Sequence, residues 1–291
     1  MFFLKTPPRE WYASSPSGTP ALEITYLGTA GFVLRDEHRV VVLDPYVSRA
    51  PLCDLASKRL SPKGALVHAL LPKADEVLVG HAHFDHILDA PLLCQQTGAR
   101  LVGSGATMMV GRAAGLPESQ LVETSGREEI TAGPWRITGL PSIHGKAVLG
   151  RIPLPGDITA PPSWPPRFYE LKHGLVLNWL IDTGAVRVLH IDSADFLREE
   201  LQGVQADVIC LCAIGRQYRP DYVREVIALT QPKWVIPCHW DTMLTHIGEP
   251  PELLPGVDLA GFLQEIRAEG VTPLLMPLLG KLTVPSCREA L

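Results

Sequence analysis

Residues 81–86 read His-Ala-His-Phe-Asp-His, three imidazoles and a carboxylate within six positions. Neutral imidazole nitrogens and carboxylate oxygens are the donors that Zn²⁺ and similar divalent cations take. Four metal-competent side chains packed this closely are explained neither by a buried core nor by a solvated face. Three further candidates stand apart, each where a strand-like run hands over to a loop: His144 in Pro141-Ser142-Ile143-His144-Gly145, Asp192 after residues 186–191, and His239 after Trp234-Val235-Ile236-Pro237-Cys238. A hydrolytic metal centre needs donors from several elements, because only a rigid scaffold fixes coordination geometry. Strand-to-loop junctions are the usual address of such side chains.

The elements that must deliver these residues are legible from periodicity. Val77, Leu78 and Val79 read as a buried strand, with Gly80 letting the chain turn at its end. Residues 22–27 and 31–34 read as a strand pair around Gly28-Thr29-Ala30-Gly31, and residues 40–43 as a third strand stopped by Asp44-Pro45. A helix is expected over 87–97, and strands over 101–103 and 135–140. Prolines 153, 155, 161, 162, 165 and 166, with Trp164, Phe168 and Tyr169, exclude regular structure from the insert at about 146–170; three aromatics there argue for an ordered loop. Residues 174–181 and 186–191 form a hairpin at Asp182-Thr183-Gly184. Helices over 194–201, 220–229 and 259–268 alternate with strands over 207–212 and 234–236. The order predicts two related halves, each a sheet with covering helices, in one domain spanning 1–291.

The 291 residues carry 26 basic and 31 acidic side chains for a net charge of −5, without the basic footprint of a nucleic-acid binder. No apolar run approaches the roughly 20 residues that span a membrane, and the opening residues 1–8 lack the apolar core of a signal peptide. A cytoplasmic location is the expectation. The six cysteines make no Cys-x-x-Cys pair and read as small buried hydrophobes in a reducing compartment; Cys238 alone neighbours a candidate ligand, His239. A homo-oligomer is compatible with the sequence.

Taken together, the motif His81-x-His83-x-Asp85-His86, the distant His144, Asp192 after a strand and His239 after another resemble the metallo-β-lactamase superfamily. The first strands, Ile24-Thr25-Tyr26-Leu27-Gly28 and Val42-Leu43-Asp44-Pro45, fit as well. Within it the chain looks most similar to the L-ascorbate-6-phosphate lactonase-like branch, with the N-acyl phosphatidylethanolamine phospholipase D branch a relative; residues 206–216 and 232–240 carry that placement. Departures are Thr29 where that branch often has His, Asp192 without a preceding Gly, and a longer proline-rich insert after His144.

The resemblance implies an α/β fold, a four-layer αββα sandwich with the metals at one edge. It implies that His81, His83 and His144 hold one divalent cation, that Asp85, His86 and His239 hold a second, and that Asp192 bridges them. Zn²⁺ is the first expectation for both, with Mn²⁺ or Fe as alternatives. Cations about 3.5–4 Å apart can share a hydroxide as nucleophile, which Asp85 could orient or deprotonate. The substrate is then a small molecule with an ester, lactone or related acyl bond. A phosphodiester served by the same hydroxide is the alternative, and a non-catalytic metal-binding protein a third reading. Phe84 replaces the Gly of tRNA-processing relatives, and Ala82 the Glu of diiron oxygen reductases. Candidates for supporting roles are Asp44, as acceptor from a ligating imidazole, His190, sharing a strand face with Asp192, and Arg216, Tyr218 and Arg219 as anion binders. Trp164, Phe168 and Tyr169 are candidates for a lid. His38, His68, His173 and His246 lack ligand context.

Overall fold

In the computed structural model, residues 6–288 are described; residues 1–5 of the opening segment and 289–291 lie outside them. Walking along the chain, β1 (Pro20–Gly28), β2 (Gly31–Arg35), β3 (Val40–Leu43), β4 (Glu76–Leu78), β5 (Arg100–Gly103) and β6 (Leu121–Glu123) lie side by side in one sheet. A second sheet takes β7 (Glu129–Ala132), β8 (Trp135–Ser142), β9 (Val176–Asp182), β10 (Arg187–Ile191), β11 (Val208–Cys212), β12 (Trp234–Cys238) and β13 (Thr272–Pro273). The last strand, β14 (Lys281–Pro285), returns to pair antiparallel with β1. Each sheet is antiparallel on one side and parallel on the other: β3 to β6 run parallel in the first, β10 to β13 in the second.

The runs are apolar at every position because both faces of each sheet are covered. In β3, Val41 and Leu43 face the core between the sheets, while Val40 and Val42 face outward with Val77, Val79 and Leu101. That outer layer is built by helices α1 (Leu52–Ser57), α2 (Gly64–Leu70), α3 (Phe84–Ile87), α4 (Ala90–Thr97) and α5 (Gly105–Ala113), through residues such as Val67, Leu93 and Val110. On the second sheet, α6 (Arg198–Leu201), α7 (Tyr222–Thr230) and α8 (Leu259–Ala268) seat Val226, Phe262 and Ile266 against it. This is the expected αββα sandwich.

Two helices differ from expectation. The stretch read as one helix over 87–97 is α3 and α4, broken at Leu88-Asp89. Pro91 cannot donate to Ile87, and its ring would clash with that carbonyl in a continuous helix. The helix expected over 194–201 is reduced to Arg198–Leu201, since Asp195 is tied to Arg219 and to the amide of Phe196. The proline-rich insert is ordered, with Ile158 and Leu171 buried and a short 3₁₀ turn at Phe168–Glu170. No described helix is long and apolar enough to cross a membrane.

Candidate metal centre

Four strand ends converge. β4 is followed by His81, His83, Asp85 and His86, β8 by His144, β10 by Asp192 and β12 by His239. The parallel halves set three of these carboxyl ends on the same rim, where open α/β sheets carry their sites. The break at Leu88-Asp89 leaves α3 as a single turn starting at Phe84, so Asp85 and His86 project together from its first residues. Gly80 is needed for space rather than for a turn. Its φ lies outside the left-handed region, but a Cβ there would fall 2.1 Å from Asp192 Oδ2. Its N–H donates to Asp44 Oδ1 at 2.8 Å.

The first trio is His81, His83 and His144, with ligand atoms mutually within 4.8 Å. Each ring has an outward partner that takes its N–H. His81 Nδ1 donates to Asp192 Oδ2 at 2.6 Å, His83 Nε2 to the Leu154 carbonyl at 3.4 Å, and His144 Nδ1 to the Gly145 carbonyl at 2.7 Å. His81 Nε2 and His83 Nδ1 stand 3.0 Å apart, a spacing at which they share either a proton or, with both nitrogens unprotonated, a cation. The donor set therefore fits a cation. Burial pushes His81 well below its ordinary value, and charge on His86 adds to it. Burial with His144 nearby takes His83 down to about 3, and burial takes His144 to about 4. All three are neutral at physiological pH, the form that binds a metal.

The second trio is Asp85, His86 and His239. Asp85 Oδ2 lies 3.2 Å from His239 Nε2 and 3.8 Å from His86 Nε2. The other nitrogen of His86, Nδ1, donates to Asp44 Oδ2 at 2.9 Å. Burial lowers His86, but Asp85, Asp44 and Asp192 outweigh it and raise the imidazole to about 9. Burial raises Asp85, yet His86 and His239 hold its carboxyl below the usual carboxylate range. The buried carboxylates here thus call for positive charge. Asp192 touches a histidine of each trio: its Oδ2 also lies 3.6 Å from His86 Nδ1. Among the described residues, the buried Asp192 Oδ1 and His239 Nδ1 find no hydrogen-bond partner.

Three supporting residues escaped the sequence reading. His239 sits at φ +53°, its amide bonded to the Thr29 carbonyl at 2.5 Å. Two residues on, Asp241 is fully buried and accepts from Tyr26 Oη at 2.5 Å, the Thr29 amide at 2.9 Å and Arg49 Nη2 at 2.7 Å. Arg49, also fully buried, donates again to the Thr242 carbonyl at 2.9 Å. One signal was present: Gly28, at φ +88°, has no room for a Cβ because Arg49 Nη2 would be 1.7 Å away. Asp89 is the third, gathering the amides of Val47 and Ser48 at 2.7 and 2.8 Å and so bracing the loop after Asp44.

Both trios and Asp192 line a cavity of about 140 Å³ whose remaining walls include Phe84, Val148, Pro153, Leu154, Ile214 and Met243. The proline-rich insert therefore covers the centre, but not through its aromatics. Trp164 packs against the helix layer and Phe168 beside Tyr46, Leu60 and Leu88; neither lines the cavity, nor does the exposed Tyr169. His173, set aside on sequence, stands 5.8 Å from the His83 ring and 5.6 Å from that of His144. His190 is packed behind Asp44, its Nε2 donating to the Ala30 carbonyl at 2.8 Å. The anion-binding expectation is not met geometrically: Arg216 pairs with Asp258 and Glu265 over the Phe262 ring, Arg219 with Asp195 and Glu225, and Tyr218 packs by Gly150, all outside the cavity lining. Cys238 stays buried in β12, in none of the metal-competent groups of the described residues.

Residues 23–239 match the family described as Beta-lactamase superfamily domain. A UPF0173 metal-dependent hydrolase of Anaeromyxobacter dehalogenans is 31% identical over 244 residues, 79% of each chain. Igni18, a metallo hydrolase from the archaeon Ignicoccus hospitalis, superposes with a TM-score of 0.57 at 19% identity, covering 90% of this chain and 97% of its own. CmlA, a diiron β-hydroxylase from Streptomyces venezuelae, gives 0.59 at 16% identity over 93% of this chain and 55% of its own. The two structural likenesses speak to the fold.

Proposed function

The chain belongs to the metallo-β-lactamase superfamily, among the UPF0173 metal-dependent hydrolases, and we propose that it is a dinuclear hydrolase of an ester, lactone or related acyl bond. The observation that carries this reading is the convergence of the imidazoles: His81, His83 and the half-buried His144 bring ring nitrogens within 4.8 Å of one another, beside a second donor set built around Asp85. His81, His83 and His144 would hold one cation, Asp85, His86 and His239 would hold the other, and Asp192 would lie beside both. When bound, such a pair supplies an activated water and Lewis-acid polarisation of the substrate oxygen. Zn²⁺ suits the donors best, with Mn²⁺ or Fe next.

The chain's own groups do the rest. Asp44 holds His86 at Nδ1, which turns Nε2 toward Asp85. Asp85 takes a proton from the attacking water at Oδ2. Val148, Pro153 and Leu154 of the insert wall the centre and limit water. The whole chain acts as one domain with 146–170 as its insert, supported by the return of β14 onto β1.

The test is elemental analysis of purified protein beside a substrate panel. Two cations per chain, turnover of lactones or aryl esters, and loss of both metal and turnover in His83→Ala are expected. Turnover of bis(p-nitrophenyl) phosphate alone would favour the phosphodiester alternative. A metal-loaded protein that hydrolyses nothing, or full activity without metal, would overturn the reading.

A further inference from the structure

We infer that the groups flanking the scissile bond are uncharged and apolar, so that the substrate is a hydrophobic ester or lactone rather than a phosphorylated or carboxylated one; this rests on the hydrolase reading above. The argument is the wall of the cavity. Apart from the candidate ligands and Ser193, the cavity is faced by Phe84, Val148, Pro153, Leu154, Ile214 and Met243, with Ala147 between. Among the described residues no lysine or arginine lines it.

The nearest candidates for an anion clamp are already engaged. Arg219 bonds Asp195 at 2.5 Å and Glu225 at 3.0 Å. Arg216 donates to the Asp258 carbonyl at 2.9 Å. Lys146 opens onto a separate depression with Asp195 and Tyr218. A substrate carboxylate or phosphate away from the reacting bond would therefore lose its water against methyl, methylene and ring carbons, with no cation and only the Ser193 hydroxyl to replace it. An alkyl or ring flank meets like surface and gains from burial.

The reaction then consumes one water. Its oxygen bonds to the acyl carbon, the acyl–oxygen bond breaks, the proton held at Asp85 passes to the leaving alkoxide to give the alcohol, and the acid's remaining proton is released to solvent, leaving the carboxylate. Uncharged flanks enter, and the new carboxylate forms at the centre, not against the wall.

The experiment uses zinc-loaded protein and two matched pairs. Calorimetric binding compares hexanohydroxamic acid with its analogue bearing an ω-carboxylate. Hydrolysis compares p-nitrophenyl hexanoate with the corresponding ω-carboxylate ester. The apolar member should win by about 100-fold in both, as expected when a polar group enters a site with no partner for it. Val148 is half exposed at the cavity mouth, so Val148→Arg should fold. It should raise affinity for the ω-carboxylate hydroxamate about 10-fold with metal content unchanged. Equal or stronger binding and turnover of the charged members by the wild type would overturn the inference while leaving the hydrolase reading intact. Selective hydroxamate binding without hydrolysis of either ester would support the apolar wall and count against the hydrolase reading instead. An unaltered binding ratio in Val148→Arg would remove Val148 from the wall.

Discussion

The two trios at the rim are held by different means. Around His81, His83 and His144 the outward partners are a carboxylate and two loop carbonyls, and the rings are neutral. Around Asp85, His86 and His239 the setting is charged: Asp44 backs His86, and a buried Arg49–Asp241 pair shapes the turn that carries His239. One set depends on the insert loop lying in place, the other on ionic groups buried in the connections after β3 and β12. The difference teaches that two similar-looking groups of metal-competent side chains can fail separately. The first should respond to changes in loop packing, the second to changes in buried charge.

The contrast can be broken most sharply at Arg49. Arg49→Met leaves Asp241 buried without its cation and should cost about 3–5 kcal/mol of stability, read by urea denaturation, with metal falling from two to one per chain. A loss under about 1 kcal/mol would show that the pair does not hold the His239 turn. Gly80→Ala is next. Its Cβ would press on the Asp192 carboxylate, which touches both trios, so a loss of about 1–3 kcal/mol should come with weakening at both positions. Retention of one full-strength cation would separate Asp192 from one trio. Asp44→Asn acts on one side only: affinity at the second position should fall about 10–100-fold and leave the first unchanged, as followed by competition with a chromophoric chelator. The smallest effect is expected from Arg216→Gln. Its partners are solvent-facing, so stability should change by less than about 1 kcal/mol. Metal content and turnover of a carboxylated ester should not move; a selective loss on that ester would restore Arg216 as an anion binder.

Much of this was visible before the fold. Strands such as residues 40–43 and 207–212 announced themselves because burial on both faces demands an unbroken apolar run. The metal-competent residues were visible by type and by their place after such runs. Asp44 was visible for the same reason, sitting at a strand end before a proline. The short edge strands β6, β7 and β13 were not, since two to four residues are too few for a period to stand out. Asp241 and Arg49 went unread, because pairing over 192 positions leaves no local mark. Arg216 and Tyr218 misled for the converse reason: a basic residue after a strand reads as a ligand for anions until its partners on α8 are seen.

By itself the sequence determined the donor chemistry, the order in which the donors arrive, and the strands that deliver them, because side-chain type and hydrophobic period are local properties. Tertiary structure alone decided which nitrogen of each imidazole faces inward, since that choice belongs to the hydrogen-bond partner and those partners are as remote as Asp192 and Leu154. It also decided that the insert covers the centre with aliphatic side chains rather than with its aromatics, because which residues of an irregular loop face a cavity depends on what the loop packs against.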